Sequence, residues 1–356
     1  MRRTIRVACI LLFVPCLLVS LGLAKEKKLR SCSEIWTILL ASGKSYKIKP
    51  SASLPEIALS DYAKAYFPLQ GEHVLHPVIE KKADGSPAIG KMKIDPAALR
   101  QFSQADNVFM NAEYDKAMRL YQKAIALSET CYDAYLRTGD CFLFVKKDPQ
   151  QALAYYKKAL AVNPNDYRPH FFCGNACCAL GDVAQARRHY LEALVLKPRD
   201  NTLMAVLEKS QADLHVRLQL QTFAPKALAR MEQGAVTIYL AEKKSIEDVA
   251  WLSYAAAKAV HIGEKEQPDD AWSMHDEKEA IGCLLYTYRS QLEKKKAKPV
   301  AYLERLYRIA NGGLINEFII YEIMAQMYPD VVLVLSEPMK QSVKEYVKRF
   351  VFVAEP

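Results

Sequence analysis

Between Ala98 and Asp200 the chain repeats one arrangement of small and aromatic positions three times, about 34 residues apart. The first copy carries Ala117, Tyr121 and Ala124; the second Ala152, Tyr156, Ala159 and Pro164; the third Ala186, Tyr190, Ala193 and Pro198. Steps of four and three put the small and aromatic residues of a copy on one helical face, where alanines let a neighbouring helix approach closely. Ala105, Gly139 and Gly174 recur upstream at the same interval, so each copy predicts a pair of touching helices, closed by proline in the second and third. Leu203, Val206, Leu207, Leu214 and Leu218 continue at helical spacing and predict a capping helix over 201–221, since a repeat stack exposes an apolar face at its last unit. Helical patterning then runs on. A helix opened by Pro225 passes through Leu228 and Met231, one capped by Ser245 and Asp248 passes through Trp251, Tyr254 and Val260, and a long one follows Asp269 and Asp270 to Lys294-Lys295-Lys296. Another runs from Pro299 to a stop at Gly312-Gly313, one spans 314–327, and Ser336 with Pro338 begins a last. Ahead of the repeats, residues 25–97 are rich in Ser, Pro, Gly and Lys beyond a short apolar stretch, and predict a loosely ordered lead-in with a turn at Asp84-Gly85-Ser86-Pro87.

The period and pattern resemble the tetratricopeptide repeat, a helix–turn–helix family with a 34-residue unit. The third copy, 167–200, matches best; the second, 132–166, has one extra residue at Lys146-Lys147-Asp148-Pro149; the first, 98–131, has Ala105 and Ala112 for glycines and Glu129 for the closing proline. The resemblance covers roughly 100 of the 356 residues. It implies an all-α fold, a right-handed α-solenoid of helix pairs, with an additional helical C-terminal domain over 222–356. It also implies a concave groove built from the first helix of each pair, binding a protein or peptide partner. At the family's groove positions stand Phe102, Asp106, Phe109 and Met110, then Leu136, Arg137, Asp140 and Phe144, then Arg168, Phe171, Phe172 and Asn175. Chaperone-binding members clamp a C-terminal carboxylate with lysine, arginine and asparagine; only Arg137, Arg168 and Asn175 suit such parts, so the clamp is not carried over. Two occupants of so aromatic a groove compete: an apolar peptide or helix of a partner, or this chain's own Phe350-Val351-Phe352-Val353.

Composition narrows the picture. Lysine and arginine number 49 against 40 acids, a scattered excess of +9 without an arginine-rich run, which excludes nucleic acid as the expected partner. Arg2, Arg3 and Arg6 precede an apolar run from Val7 to Ala24 that ends in small residues, so 1–24 predicts an export signal and an exported, periplasmic or secreted protein. The alternative is a membrane anchor of residues 7–24, because Lys25, Lys27, Lys28 and Arg30 follow at once; this is the sole expected membrane contact. Loss of the signal leaves seven of nine cysteines without regular spacing, which points to small core residues.

No metal or cofactor is expected. His73 and His76 have only Glu72 beside them, and His170, Cys173 and Cys177, though on one helical face, occupy packing positions of the third repeat. A disulfide between Cys141 and Cys173 is the other use of those thiols. His275, Asp276, Glu277 and Glu279 lack a second histidine and predict solvated surface, and Asn311-Gly312-Gly313 is a helix stop. With no catalytic constellation, the expected function is a non-catalytic, exported protein-binding scaffold; the alternative is an enzyme or envelope assembly factor whose activity resides in the C-terminal helices.

Overall fold

The computed structural model describes residues 28–41, 46–54, 57–58, 61–219, 222–241, 245–265, 272–295 and 297–355. The expected export signal or anchor lies outside them. Helix α1 (Cys32–Ala41), strand β1 (Tyr46–Pro50) and helix α2 (Tyr62–Tyr66) come first, followed by the strands β2 (Pro77–Lys81) and β3 (Pro87–Lys91). Three helix pairs follow: α3 (Pro96–Met110) with α4 (Tyr114–Leu127), α5 (Tyr132–Asp140) with α6 (Pro149–Val162), and α7 (Tyr167–Ala179) with α8 (Val183–Leu196). After α9 (Asn201–Lys209) come β4 (Val216–Leu218), β5 (Ala227–Glu232) and β6 (Ala235–Leu240), then α10 (Ile246–Glu264), α11 (Met274–Lys295) and α12 (Ala301–Asn311). Helix α13 (Ile315–Phe318) continues through π-type turns at Ile319–Met324 into α14 (Ala325–Met327), and α15 (Glu337–Phe350) precedes β7 (Phe352–Ala354). Among the described residues, no helix is long and apolar enough to cross a membrane.

The chain divides into two compact units. The repeat unit comprises Glu72–Thr222 with Ile320–Pro356, and the sheet unit Met1–Gly71 with Phe223–Ile319. The two units are interleaved along the sequence: the sheet unit joins the N-terminal stretch to an internal segment, and the repeat unit joins another internal segment to the C-terminal stretch.

In the repeat unit the recurring alanines do what their spacing requires: Ala117, Ala124, Ala152, Ala159, Ala186 and Ala193 are all fully buried. The glycines explain themselves by contact. A Cβ on Gly139 would lie 2.3 Å from Cε1 of Tyr156, and one on Gly174 2.6 Å from Cε1 of Tyr190. Each pair turns over through one left-handed residue, Ala112 (φ 61°), Lys147 (φ 55°) and Gly181 (φ 73°). The extra residue of the second repeat is absorbed by π-helical turns over Cys141–Lys146 that extend α5, as one insertion into a helix should be. Aspartates cap the helices that follow, with Asp95, Asp148, Asp166, Asp182 and Asp200 each accepting from a backbone N–H of the first turn.

Several expectations are corrected. The capping helix stops at Lys209 instead of Gln221, because the chain turns through left-handed His215 (φ 46°) and Val216–Leu218 forms β4, antiparallel to β7. The lead-in is ordered in its described part: β2 and β3 form a hairpin whose turn has Gly85 at φ 81°. No helix follows Pro225. Residues 227–232 are β5, which turns through Gln233 (φ 48°) and Gly234 (φ 78°) into antiparallel β6. Strand β1 pairs with β6 in parallel, completing the order β1-β6-β5. The fold is predominantly helical, as expected, with these short strands added.

In the sheet unit α10 packs against β5, β6 and α11 around Phe223, Trp251, Tyr254 and Phe318. The acids read as solvated surface are buried there. Glu277 accepts from the Tyr254 hydroxyl (2.6 Å), Lys258 Nζ (2.9 Å) and Trp272 Nε1 (3.2 Å). Glu279 pairs with Arg30 (2.9 Å), His261 Nε2 (3.2 Å) and His275 Nε2 (3.3 Å). Burial of a charge without partners is costly, and each carboxylate has cations drawn from other helices or from the start of the chain.

Candidate protein-binding groove

The three first helices, α3, α5 and α7, bring equivalent positions together around a concavity of about 300 Å³, lined by Phe102, Asp106, Asp133, Leu136, Arg137, Asp140, Arg168 and Phe172. Seven of these eight stand among the positions named from the sequence; Asp133 was missed. The others are placed elsewhere. Phe109 packs edge-on against Tyr114 (5.2 Å between centroids) at the turn of the first pair. Phe171 is buried against Phe172 and Tyr190, so it supports the wall from behind. Met110 and Phe144 are exposed near the ends of the first helices, 80% and 57% respectively. Asn175 accepts from the Tyr190 hydroxyl at 2.7 Å.

The groove is less apolar than its residue types suggest, because Asp106 and Asp140 on its lining belong to a polar ladder that runs behind it. Tyr121, Tyr156 and Tyr190, which recur in the second helices, donate their hydroxyls to Asp106 (2.6 Å), Asp140 (2.8 Å) and Asn175 (2.7 Å), which recur in the first. Each bond ties the two helices of a pair together next to the glycine or alanine contact. A second set of bonds ties the start of one repeat to the end of it: Tyr132 donates to Asp166 (2.5 Å) and Tyr167 to Asp200 (2.7 Å). Burial pushes the Asp140 carboxyl up to about 6, against the Tyr156 hydroxyl and Arg137, which favour its charged form. Burial also opposes ionisation of Asp166, but the Arg168 guanidinium outweighs it and holds that carboxyl below its ordinary range.

The two arginines differ in freedom. Arg168 binds Asp166 through Nη2 (2.6 Å), Asp133 through Nη1 (2.9 Å) and the Tyr132 hydroxyl (3.0 Å), and is a fixed strut. Arg137 meets Asp106 and Asp140 only at 3.5 and 3.4 Å, and its side chain keeps 45% of its exposure. It is the flexible cation of the groove. Of the candidate metal ligands, His73 Nδ1 meets Asp330 (2.5 Å) and His76 Nε2 meets Asp133 (2.5 Å), so the two imidazoles are engaged separately. His170 Nδ1 lies 3.1 Å from His189 Nδ1, and burial pulls His170 down to about 4. Cys141, Cys173 and Cys177 are free, buried thiols.

The C-terminal segment does not fill the groove. Phe350 stacks on Tyr346, and Phe352 and Val353 pair with Leu218 and Arg217 in the β4–β7 ladder. A strand with its backbone hydrogen bonds already made there is not spare for α3, α5 and α7.

Residues 143–209 match a family model described as tetratricopeptide repeat. The helix pairs are tetratricopeptide repeats. The heat shock protein STI1 of Saccharomyces cerevisiae is 33% identical over 94 residues, 26% of this chain and 16% of that protein. The match thus spans about a sixth of the relative's length. Among solved structures with tetratricopeptide repeats, the first such domain of Spaghetti (RPAP3) bound to the HSP90 peptide SRMEEVD is 24% identical, covering 33% of this chain and 95% of that one with a TM-score of 0.31. The Yersinia enterocolitica type III secretion chaperone SycD, in complex with a peptide of the translocator YopD, is 17% identical, covering 34% and 91% with a TM-score of 0.31.

Proposed function

We propose that this protein is a non-catalytic scaffold whose tetratricopeptide repeats hold an extended segment of a partner protein in the groove of α3, α5 and α7. The observation that carries this reading is the concavity itself: Phe102, Leu136 and Phe172 on its walls, with the loosely paired Arg137 between them. A bulky apolar side chain of the partner would cover the rings, and a carboxylate would draw Arg137 away from two contacts that are long for ion pairs. Each well-buried anchor contributes about 1.5–3 kcal/mol, so two or three suffice for micromolar association after the costs of ordering.

The test is selection of a random peptide library on the full chain and on a Phe102→Ala, Phe172→Ala variant. The wild type should enrich peptides with large apolar side chains and at least one acid, and the variant should not. Identical enrichment by both proteins, with unchanged unfolding midpoints, would remove the groove from the account. Export is part of the proposal and rests on residues 1–24. Cell fractionation with the mass of the mature N-terminus tests it, and a cytosolic product still beginning at Met1 would refute it.

A further inference from the structure

The described residues hold seven cysteines, and they divide unevenly. Cys131, Cys141, Cys173, Cys177 and Cys178 lie in the repeats, whereas the described residues of the sheet unit include only Cys32 and Cys283. Cys32 opens α1, which packs against α10 and α11. Its Sγ lies 3.7 Å from Oγ1 of Thr287 on α11, one turn beyond the buried Cys283 and so on the same helical face, and Thr287 donates in turn to Ser253 of α10 (2.8 Å). Three helices thus converge on one sulfur pair, with both thiols nearly withdrawn from solvent.

We propose that Cys32 and Cys283 are a disulfide-forming pair that ties α1 to α11. Among the thiols of the repeats, Cys173 and Cys177 sit one turn apart on the same helix, and Cys178 is exposed. The cluster also sets an order of attack. Its contact with Cys283 and the hydroxyls of Thr287 and Ser253 lower Cys32 to about 6, against burial, while the same contact and burial raise Cys283. A lowered thiol is the one present as thiolate near neutrality. The Cys32 thiolate attacks a small-molecule disulfide such as oxidised glutathione, forming a mixed disulfide and expelling one glutathione thiolate. Cys283 then loses its proton and attacks Sγ of Cys32, expelling the second glutathione. The two cysteines are oxidised by two electrons, and the external disulfide is reduced to two thiols.

The closed loop joins residues 251 positions apart in the sequence, for which chain-entropy arguments give a large effect on the unfolded state. This inference is independent of the groove, and testing it in a glutathione buffer separates it from the proposed export. The full chain is refolded from denaturant in excess oxidised glutathione, alkylated under denaturing conditions and mapped by mass spectrometry. The expected product is a Cys32–Cys283 cross-linked peptide, two hydrogens lighter than the sum of its parts, retained in Cys178→Ser. The melting temperature should fall by about 5 °C or more on reduction, a shift absent from Cys283→Ser. Alkylation of both Cys32 and Cys283 in the refolded protein, or cross-links joining either to a cysteine of the repeats, would overturn the proposal.

Discussion

Replacing Gly139 by alanine tests the packing of the repeats at its tightest point. The new methyl would meet Cε1, Cδ1 and Cζ of Tyr156 at 2.3, 2.6 and 2.9 Å, so the ring must move. It has little room, being fully buried, stacked on Phe172 (5.3 Å between centroids), and anchored by its hydroxyl to Asp140. Overpacking costs about 1–3 kcal/mol, and pulling the hydroxyl off a buried carboxylate adds about 1.5–3 kcal/mol if the bond is lost. Alanine returns about 1 kcal/mol through its helix propensity. With the bond lost, the net cost is about 1.5–5 kcal/mol. Gly282 on α11 supplies the contrast, because a Cβ there meets nothing within 4 Å, and Gly282→Ala should gain about 1 kcal/mol. Urea unfolding followed by far-ultraviolet circular dichroism reads both variants. A Gly139→Ala protein as stable as the wild type would refute the claim that a missing side chain, and not chance, lets α5 and α6 touch.

Three further outcomes follow from named contacts. Ala112 sits at φ 61° where the third repeat has Gly181 at φ 73°, so Ala112→Gly should raise stability by about 0.5–1 kcal/mol in the same unfolding assay. Burial keeps the Asp140 carboxyl protonated up to about 6, whereas the unfolded chain releases that proton near 4. The native state therefore binds more protons between those values, and stability falls as pH rises through them, by up to about 2–3 kcal/mol. Asp140→Asn, which copies the Asn175 of the third repeat and still accepts from Tyr156, should flatten that slope; an unchanged difference between midpoints at pH 4 and pH 7 would contradict it. Glu277→Gln leaves the buried Lys258 ammonium without its carboxylate and should cost about 3–5 kcal/mol, much of it recovered when Lys258→Met is added, as thermal melts of the single and double variants would show.

The repeats were legible because their packing is local: a helix pair fits within one period, and small residues at steps of three and four can serve only a close approach. The groove was legible as a set of positions but not as a surface. Asp106, Asp140 and Asn175 recur at intervals of 34 and 35 residues, and Tyr121, Tyr156 and Tyr190, which they bind, at 35 and 34; that near-common period was the available sign that they belong to a ladder and not to a bare wall. Strands β5 and β6 had a local sign too, in Gln233-Gly234 ahead of the β-branched run Ala235–Leu240, but Pro225 with Leu228 and Met231 imitated a helix start. Other features had no local sign at all. Strand β1 pairs with β6 about 190 positions later, Arg30 reaches Glu279 across 249, and nothing in either neighbourhood announces the partner.

The central claim is that the groove of the tetratricopeptide repeats is where a partner lies. The most direct measurement places a photo-cross-linking amino acid at Arg137, in the groove, and at Ala126, exposed on α4, in the full-length protein expressed in its own cells. The account predicts an adduct with a partner protein from position 137 that is lost on competition with a peptide selected on the groove, and none from position 126. Equal adducts from both positions, or adducts from 137 that the peptide leaves untouched, would contradict it.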